Sequence, residues 1–181
     1  KEGIPGVLEG LEMGILPIRQ LDPQKPSTSF KVRGKGLRVD LLTPMRGRRT
    51  AAPVTIPRLK AAAQPLPFLD FLTEHPVRGA IVNGGGLLVS VPTPARFAFH
   101  KLILSQERDA ATHGKREKDL HQAAQLLSLL VDERPGDVML AWNDIQARGK
   151  GWVERVNTGI TSLKKLEPLT WRKITEFLKS G

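Results

Sequence analysis

FKVRGKGLRVDLLTP, residues 30–44, is the stretch whose reading decides how the first half of this chain folds. Val32 on one side, and Leu37, Val39 and Leu41 on the other, are apolar at every second position around Gly34-Lys35-Gly36, the pattern of a β-hairpin with a glycine turn. In the second arm Arg38, Asp40 and Leu42 point to the face opposite Leu37, Val39 and Leu41. An acid in the middle of an otherwise apolar strand costs on the order of several kcal/mol if it is buried unpaired. Asp40 therefore needs a cation beside it, for which Arg38 and Arg33 are at hand, or a metal ion above it.

Around this hairpin the composition is that of an ordinary globular chain, with 181 residues, 40% hydrophobic and 25% charged, enough for one large domain or two small ones. Cysteine is absent, which excludes disulfides, thiolate zinc sites and cysteine nucleophiles. No apolar run approaches the length of a membrane span and no signal peptide is visible, so no membrane partner and a cytoplasmic location are expected. The chain opens on Lys1, which reads as a fragment or a processed form. Its net charge of +10 favours anionic partners, whether nucleic acid, nucleotides or an acidic protein, and is equally compatible with a merely basic surface. Aromatic residues make up only 5% and tyrosine is missing, which argues against a platform that stacks single strands.

Upstream of the hairpin, Val7, Leu8, Leu11, Ile15 and Leu16 suggest a short helix ending at Gly14, after which Pro17, Pro23 and Pro26 keep the chain extended. Downstream, Arg46-Gly47-Arg48-Arg49 reads as a solvated basic loop, residues 54–56 as a short strand and residues 59–63 as one weak helical turn. Residues 68–72 are apolar between prolines, and periodicity leaves strand and helix both open. Residues 80–91 form a second hairpin around Asn83-Gly84-Gly85-Gly86. This glycine run leads into a strand, whereas a phosphate cradle leads into a helix N-terminus, so it is a turn.

From Thr93 the pattern turns helical. Thr93 and Pro94 open a helix that places Phe97, Lys101, Leu104 and Arg108 on one side. A second helix over 115–132 turns Leu120, Ala123, Ala124, Leu127, Leu130 and Val131 inward, with Lys118, His121, Gln122 and Gln125 on the opposite stripe. Asp137 is placed to cap a third, Val153 to Leu163 support a fourth, and Thr170 is placed to cap a fifth. The expected fold is α+β, with a small, mostly antiparallel sheet region over 1–92 followed by a helical domain over 93–181.

The four histidines have no ligand spacing, and no GxSxG, HExxH, Walker or GxGxxG motif is present. One constellation remains. Lys101 and Arg108 lie two turns apart on one helix face, and Lys118-Asp119 begin the next helix, so an antiparallel helix pair would bring these together beside the strand bearing Asp40. Two cations converging near a carboxylate-held metal suit a polyphosphate; a solvated charged face is the plainer alternative.

The runs LRVDLLTP, IPRLKAAAQPLPFLDFL, VPTPARFAFHKLILSQER and KDLHQAAQLL, in that order over roughly residues 10 to 155, resemble a bacterial family of nucleotidyltransferase-fold proteins. These are relatives of DNA polymerase β, of antibiotic nucleotidyltransferases and of abortive-infection toxins. The resemblance implies that Asp40 is the third acid of a metal-binding triad and a catalytic residue. It also implies nucleotide contacts from Lys101 and from Lys118-Asp119, the pair having as its alternative mere stabilisation of the helix junction; Arg108 joins Lys101 as a triphosphate contact from the shared helix face. Gln122 stands where many relatives carry a second aspartate, and no Gly-Ser followed by D-x-D precedes Asp40. The resemblance thus implies the C-terminal part of an enzyme that transfers a nucleoside monophosphate from an NTP with Mg²⁺. Its implied partners are NTP, a nucleic-acid or protein acceptor, and either the missing N-terminal half or a second copy. The rival is a non-catalytic basic helical module that binds RNA or an acidic protein.

Overall fold

A computed structural model describes residues 3–9, 12–18, 25–48, 50–82, 84–108 and 113–180. The architecture is α+β, as expected, and the chain divides into two compact units, Lys1–Asp70 and Phe71–Gly181. The change from strands to helices lies further on, after the second hairpin, which belongs with the helices.

The first unit begins with helix α1 (Ile4–Glu9) and strand β1 (Ile15–Pro17), where the sequence suggested one helix running to Gly14. Strand β1 pairs antiparallel with β2 (Ser29–Val32), which pairs antiparallel with β3 (Arg38–Asp40). The hairpin around Gly34 is therefore present, and Gly34 takes the left-handed conformation (φ 71°) that glycine adopts without steric cost. Phe30 and Val32 are buried while Lys31 between them is exposed, the alternation of a strand with one covered face.

The second arm does not continue as one strand. It breaks at Leu41, whose N–H donates to Thr28 O and whose carbonyl accepts from Gln64 N. Strand β4 (Leu42–Pro44) then enters a different sheet, so Arg38 and Asp40 do not share a strand with Leu42. In that sheet β6 (Ala61–Leu66) lies between β4, to which it is parallel, and β5 (Val54–Ile56), to which it is antiparallel. The segment 59–63, read as a weak helical turn, is mostly strand: Leu59 ends a 3₁₀ turn (Pro57–Leu59), and Ala61, Ala62 and Ala63 open the central strand. Alanine's helix propensity loses here to tertiary context: Ala61, Ala62 and Ala63 are buried, and their small side chains let flanking chain approach from both sides.

The short helix α2 (Leu69–Thr73), at which the units divide, settles the ambiguous 68–72 segment as helix. In the second unit β7 (Val77–Val82) and β8 (Gly86–Val91) form an antiparallel hairpin with Val77 opposite Val91 and Ile81 opposite Leu87. Five helices follow: α3 (Pro94–Gln106), α4 (His113–Glu133), α5 (Pro135–Ala147), α6 (Lys150–Leu166) and α7 (Pro168–Ser180). Asp137 lies inside the first turn of α5, paired with Arg134 at the N-cap, instead of capping it. Likewise α7 starts at Pro168, ahead of Thr170.

Helix α3 is the centre of the bundle, with Ala95, Ala98, Phe99, Leu102 and Ile103 all buried against α4, α5 and α6. Its low amphipathicity follows from being covered on several sides. Where α6 crosses it, a β-carbon on Gly159 would stand 2.8 Å from both Cβ and O of Leu102, so only glycine fits that crossing. None of the helices is long and apolar enough to cross a membrane among the described residues.

Candidate nucleotide site

Asp119 is the chemically most committed group in the helical unit. It sits in the second turn of α4 with only 3% of its surface exposed, where an unpaired carboxylate would be costly. Its two oxygens are satisfied by two different cations. Lys101 Nζ on α3 donates to Oδ1 at 2.7 Å, and Arg108 Nε donates to Oδ2 at 3.1 Å. The helical hairpin read from the sequence thus brings Lys101, Arg108 and Asp119 together. Helix α3 ends at Gln106, so Arg108 reaches the acid from the following segment and not from a second turn of the same helix face.

Both cations keep donors in reserve. Lys101 carries three N–H groups, and its Nζ also lies 5.2 Å from the centroid of the Phe97 ring. Arg108 uses its Nε on Asp119, and its terminal amino groups make no hydrogen bond among the described residues. Lys118 is exposed and adjacent to the buried acid. Two cations on one carboxylate leave the cluster net positive, and the buried acid fixes where they stand; Lys118 is not among its partners in the described residues. Gln122, one turn further along α4, has a buried side-chain oxygen without a hydrogen-bond partner among the described residues.

Asp40 lies in the first unit. Its Oδ1 accepts from Ser29 Oγ at 2.6 Å and from Arg38 Nε at 2.7 Å, while Arg38 also donates to Ser29 Oγ at 3.1 Å. Of the two cations the sequence offered, Arg38 is the one that pairs. The Ser29 hydroxyl first, and the Arg38 guanidinium second, hold the Asp40 carboxyl below its ordinary value of 3.8. A carboxylate with a lowered folded value contributes stability above the ordinary value and loses it as pH falls through the lowered one. NMR titration of the Asp40 carboxyl should therefore give a midpoint below 3.8, and Ser29→Ala should move it back up towards that value.

These residues fit a Mg²⁺ site only in part. Mg²⁺ takes an octahedral set of oxygens and sheds water reluctantly. Asp40 offers one carboxylate, and the guanidinium at 2.7 Å opposes a dication there. Among the described residues no three His, Asp or Glu side chains gather to hold a metal.

One polar cluster was not visible in the sequence. Arg96 is buried on α3, where it donates to Phe71 O at 2.9 Å, pairs with Asp144 at 3.1 Å and lies 4.7 Å from the Phe71 ring centroid. Arg148 pairs with Asp144 and with Glu74, and lies over both Phe71 and Trp152. The residues come from α2, α3, α5 and α6 and their flanks, so no local spacing announces them.

Comparisons with curated proteins and with solved structures gave no match. A family model described as nucleotidyltransferase matches residues 1–147, most of the chain and both the Asp40 hairpin and the Lys101–Asp119 cluster. This chain is a member of that nucleotidyltransferase family.

Proposed function

We propose that the helical unit holds the triphosphate of an NTP during transfer of its nucleoside monophosphate to a hydroxyl or phosphate acceptor. Lys101 and Arg108 are the phosphate contacts, Lys118 adds charge beside them, and Asp119 is a positioning residue. The observation that carries this reading is the buried Asp119 carboxylate bonded to two cations whose remaining donors make no hydrogen bond among the described residues. Phosphoryl-type transfer is governed by positioning and charge neutralisation, and a guanidinium fixed through Nε presents its terminal fork ready-made to a phosphate. Mg²⁺ belongs to this reading as the ion that neutralises charge in the in-line displacement. Asp40, taken by itself in the first unit, is one carboxylate proposed to ligate Mg²⁺.

A second reading is favoured by the Asp40–Arg38 pair, which satisfies the acid without a metal. On it the chain is a non-catalytic basic module for RNA or an acidic protein. Calorimetric titration with ATP, with and without Mg²⁺, separates the two. Lys101→Ala and Arg108→Ala should each weaken ATP binding roughly tenfold to a hundredfold, as the loss of charge-assisted hydrogen bonds implies. Unchanged ATP affinity in both variants, with lowered thermal stability, would assign the cluster to holding α3 against α4 and leave the basic-module reading standing.

A further inference from the structure

Helices α4 and α6 enclose a groove of about 570 Å³ on the helical unit, and its walls carry a distinct chemistry. Arg116 stands on the α4 side, and Lys164 and Lys165 line the α6 side. Along the α6 wall Thr158, Thr161 and Ser162 form a row of hydroxyls. Among the described lining residues Glu117 is the one carboxylate, and Leu120 contributes apolar surface.

The cations of this unit divide into those paired with a carboxylate and those, such as these three together with Arg78, Lys115, Lys118, Arg172 and Lys179, without an ion pair among the described residues. Arg96, Lys101, Arg108, Arg148, Arg155 and Lys173 all sit within ion-pair distance of a carboxylate. Arg116, Lys164 and Lys165 have no ion pair among the described residues. Arg116 makes one long hydrogen bond, 3.4 Å to Ser162 Oγ, and Lys164 Nζ lies 5.1 Å over the Trp171 ring. The hydroxyls of Thr158, Thr161 and Ser162 donate to carbonyls one turn back, at 2.8, 2.8 and 3.0 Å, which fixes them in a line on the groove wall.

We propose that this groove binds the phosphate backbone of a single-stranded nucleic acid, the acceptor of the transfer. From Thr158 to Lys165 is seven residues, about 10 Å at about 1.5 Å per residue, the axial length of roughly three stacked nucleotides. Cations at both walls neutralise the backbone. An extended acidic peptide would present its carboxylates on alternating sides, whereas a phosphodiester chain offers anionic oxygens continuously to both walls. Arg116 is three residues before Asp119 on α4, so the groove starts one helical turn from the proposed triphosphate contacts. Identifying the bound strand as acceptor rests on the transfer reading; binding itself does not.

The test uses the full chain, a fluorescein-labelled 12-nucleotide RNA of mixed sequence, and fluorescence anisotropy at several salt concentrations. Arg116→Ala/Lys164→Ala/Lys165→Ala should bind the RNA roughly tenfold or more weakly at low salt. The slope of log K against log salt should become shallower by about 2, from about 0.7 per phosphate contact on a single strand. ATP binding, measured in parallel, should be unchanged in this variant, and Arg108→Ala should show the reverse pattern. If the triple variant melts without cooperativity, the exposed charge reversal Lys165→Glu takes its place. RNA binding equal to that of the parent chain would overturn the proposal. So would displacement of the RNA by polyglutamate of equal charge as readily as by unlabelled RNA, which would make the groove an acidic-peptide site. Failure of Arg108→Ala to affect ATP removes only the transfer reading, because the RNA arm does not depend on it.

Discussion

Replacing Asp119 by alanine is expected to destabilise the helical unit by about 3 kcal/mol, the lower end of what removing one member of a buried ion pair costs. The carboxylate is 4% exposed on its side chain, while Lys101 and Arg108 are 18% and 34% exposed. Removing the acid leaves two like charges facing each other between α3 and α4, and their partial access to water limits the cost. For a chain of this size the melting temperature should fall by about 10 °C, since each kcal/mol is worth about 2–4 °C. Lys101→Met should cost clearly less, because Asp119 keeps Arg108 at 3.1 Å. Thermal unfolding followed by circular dichroism at 222 nm measures both. Equal losses for the two variants would mean that the acid is not the organising member of the cluster. ATP affinity should fall in Asp119→Ala as well, through loosened cations and not through a lost contact.

The second large effect is on catalysis. The 181-residue chain alone should give no Mg²⁺-dependent nucleotidyl transfer, although it should bind ATP. The described residues bring no three metal-ligating side chains together, and Asp40 shares its Oδ1 with a serine and an arginine. Two-metal displacement needs several hard oxygen ligands held at once. Supplying in trans a polypeptide with a Gly-Ser and paired-acid strand should restore transfer of label from α-³²P-ATP into RNA. Asp40→Asn should abolish that restored activity. Robust transfer by the chain alone, insensitive to Asp40→Asn, would mean that Asp40 is a structural acid of the hairpin and that the chemistry is organised elsewhere.

The sequence by itself determined the elements whose signals are local. Glycine at residues 34 and 84–86 between apolar runs marked both hairpins, and a threonine-proline pair marked the start of α3. Helical spacing also marked α4, α5, α6 and α7, because a 3.6-residue period is written within any fifteen residues. The joining of Lys101, Arg108 and Asp119 was legible too, since a short connection between two helices leaves few ways to pack them.

Only the tertiary structure decided features that depend on distant neighbours. Three alanines favour helix by propensity, yet Ala61–Leu66 is a central strand because β4 and β5 are there to pair with it. Leu41 ends one strand because its backbone is claimed by Thr28 and Gln64. Arg96, buried among Phe71, Glu74 and Asp144, gathers partners from as far as 48 residues away, and no spacing within α3 reveals them. The groove of Arg116, Lys164 and Lys165 is of the same kind. Its charge is visible in the sequence, but that these cations share one groove, and that no carboxylate pairs with them among the described residues, depends on how α4 and α6 lie against each other.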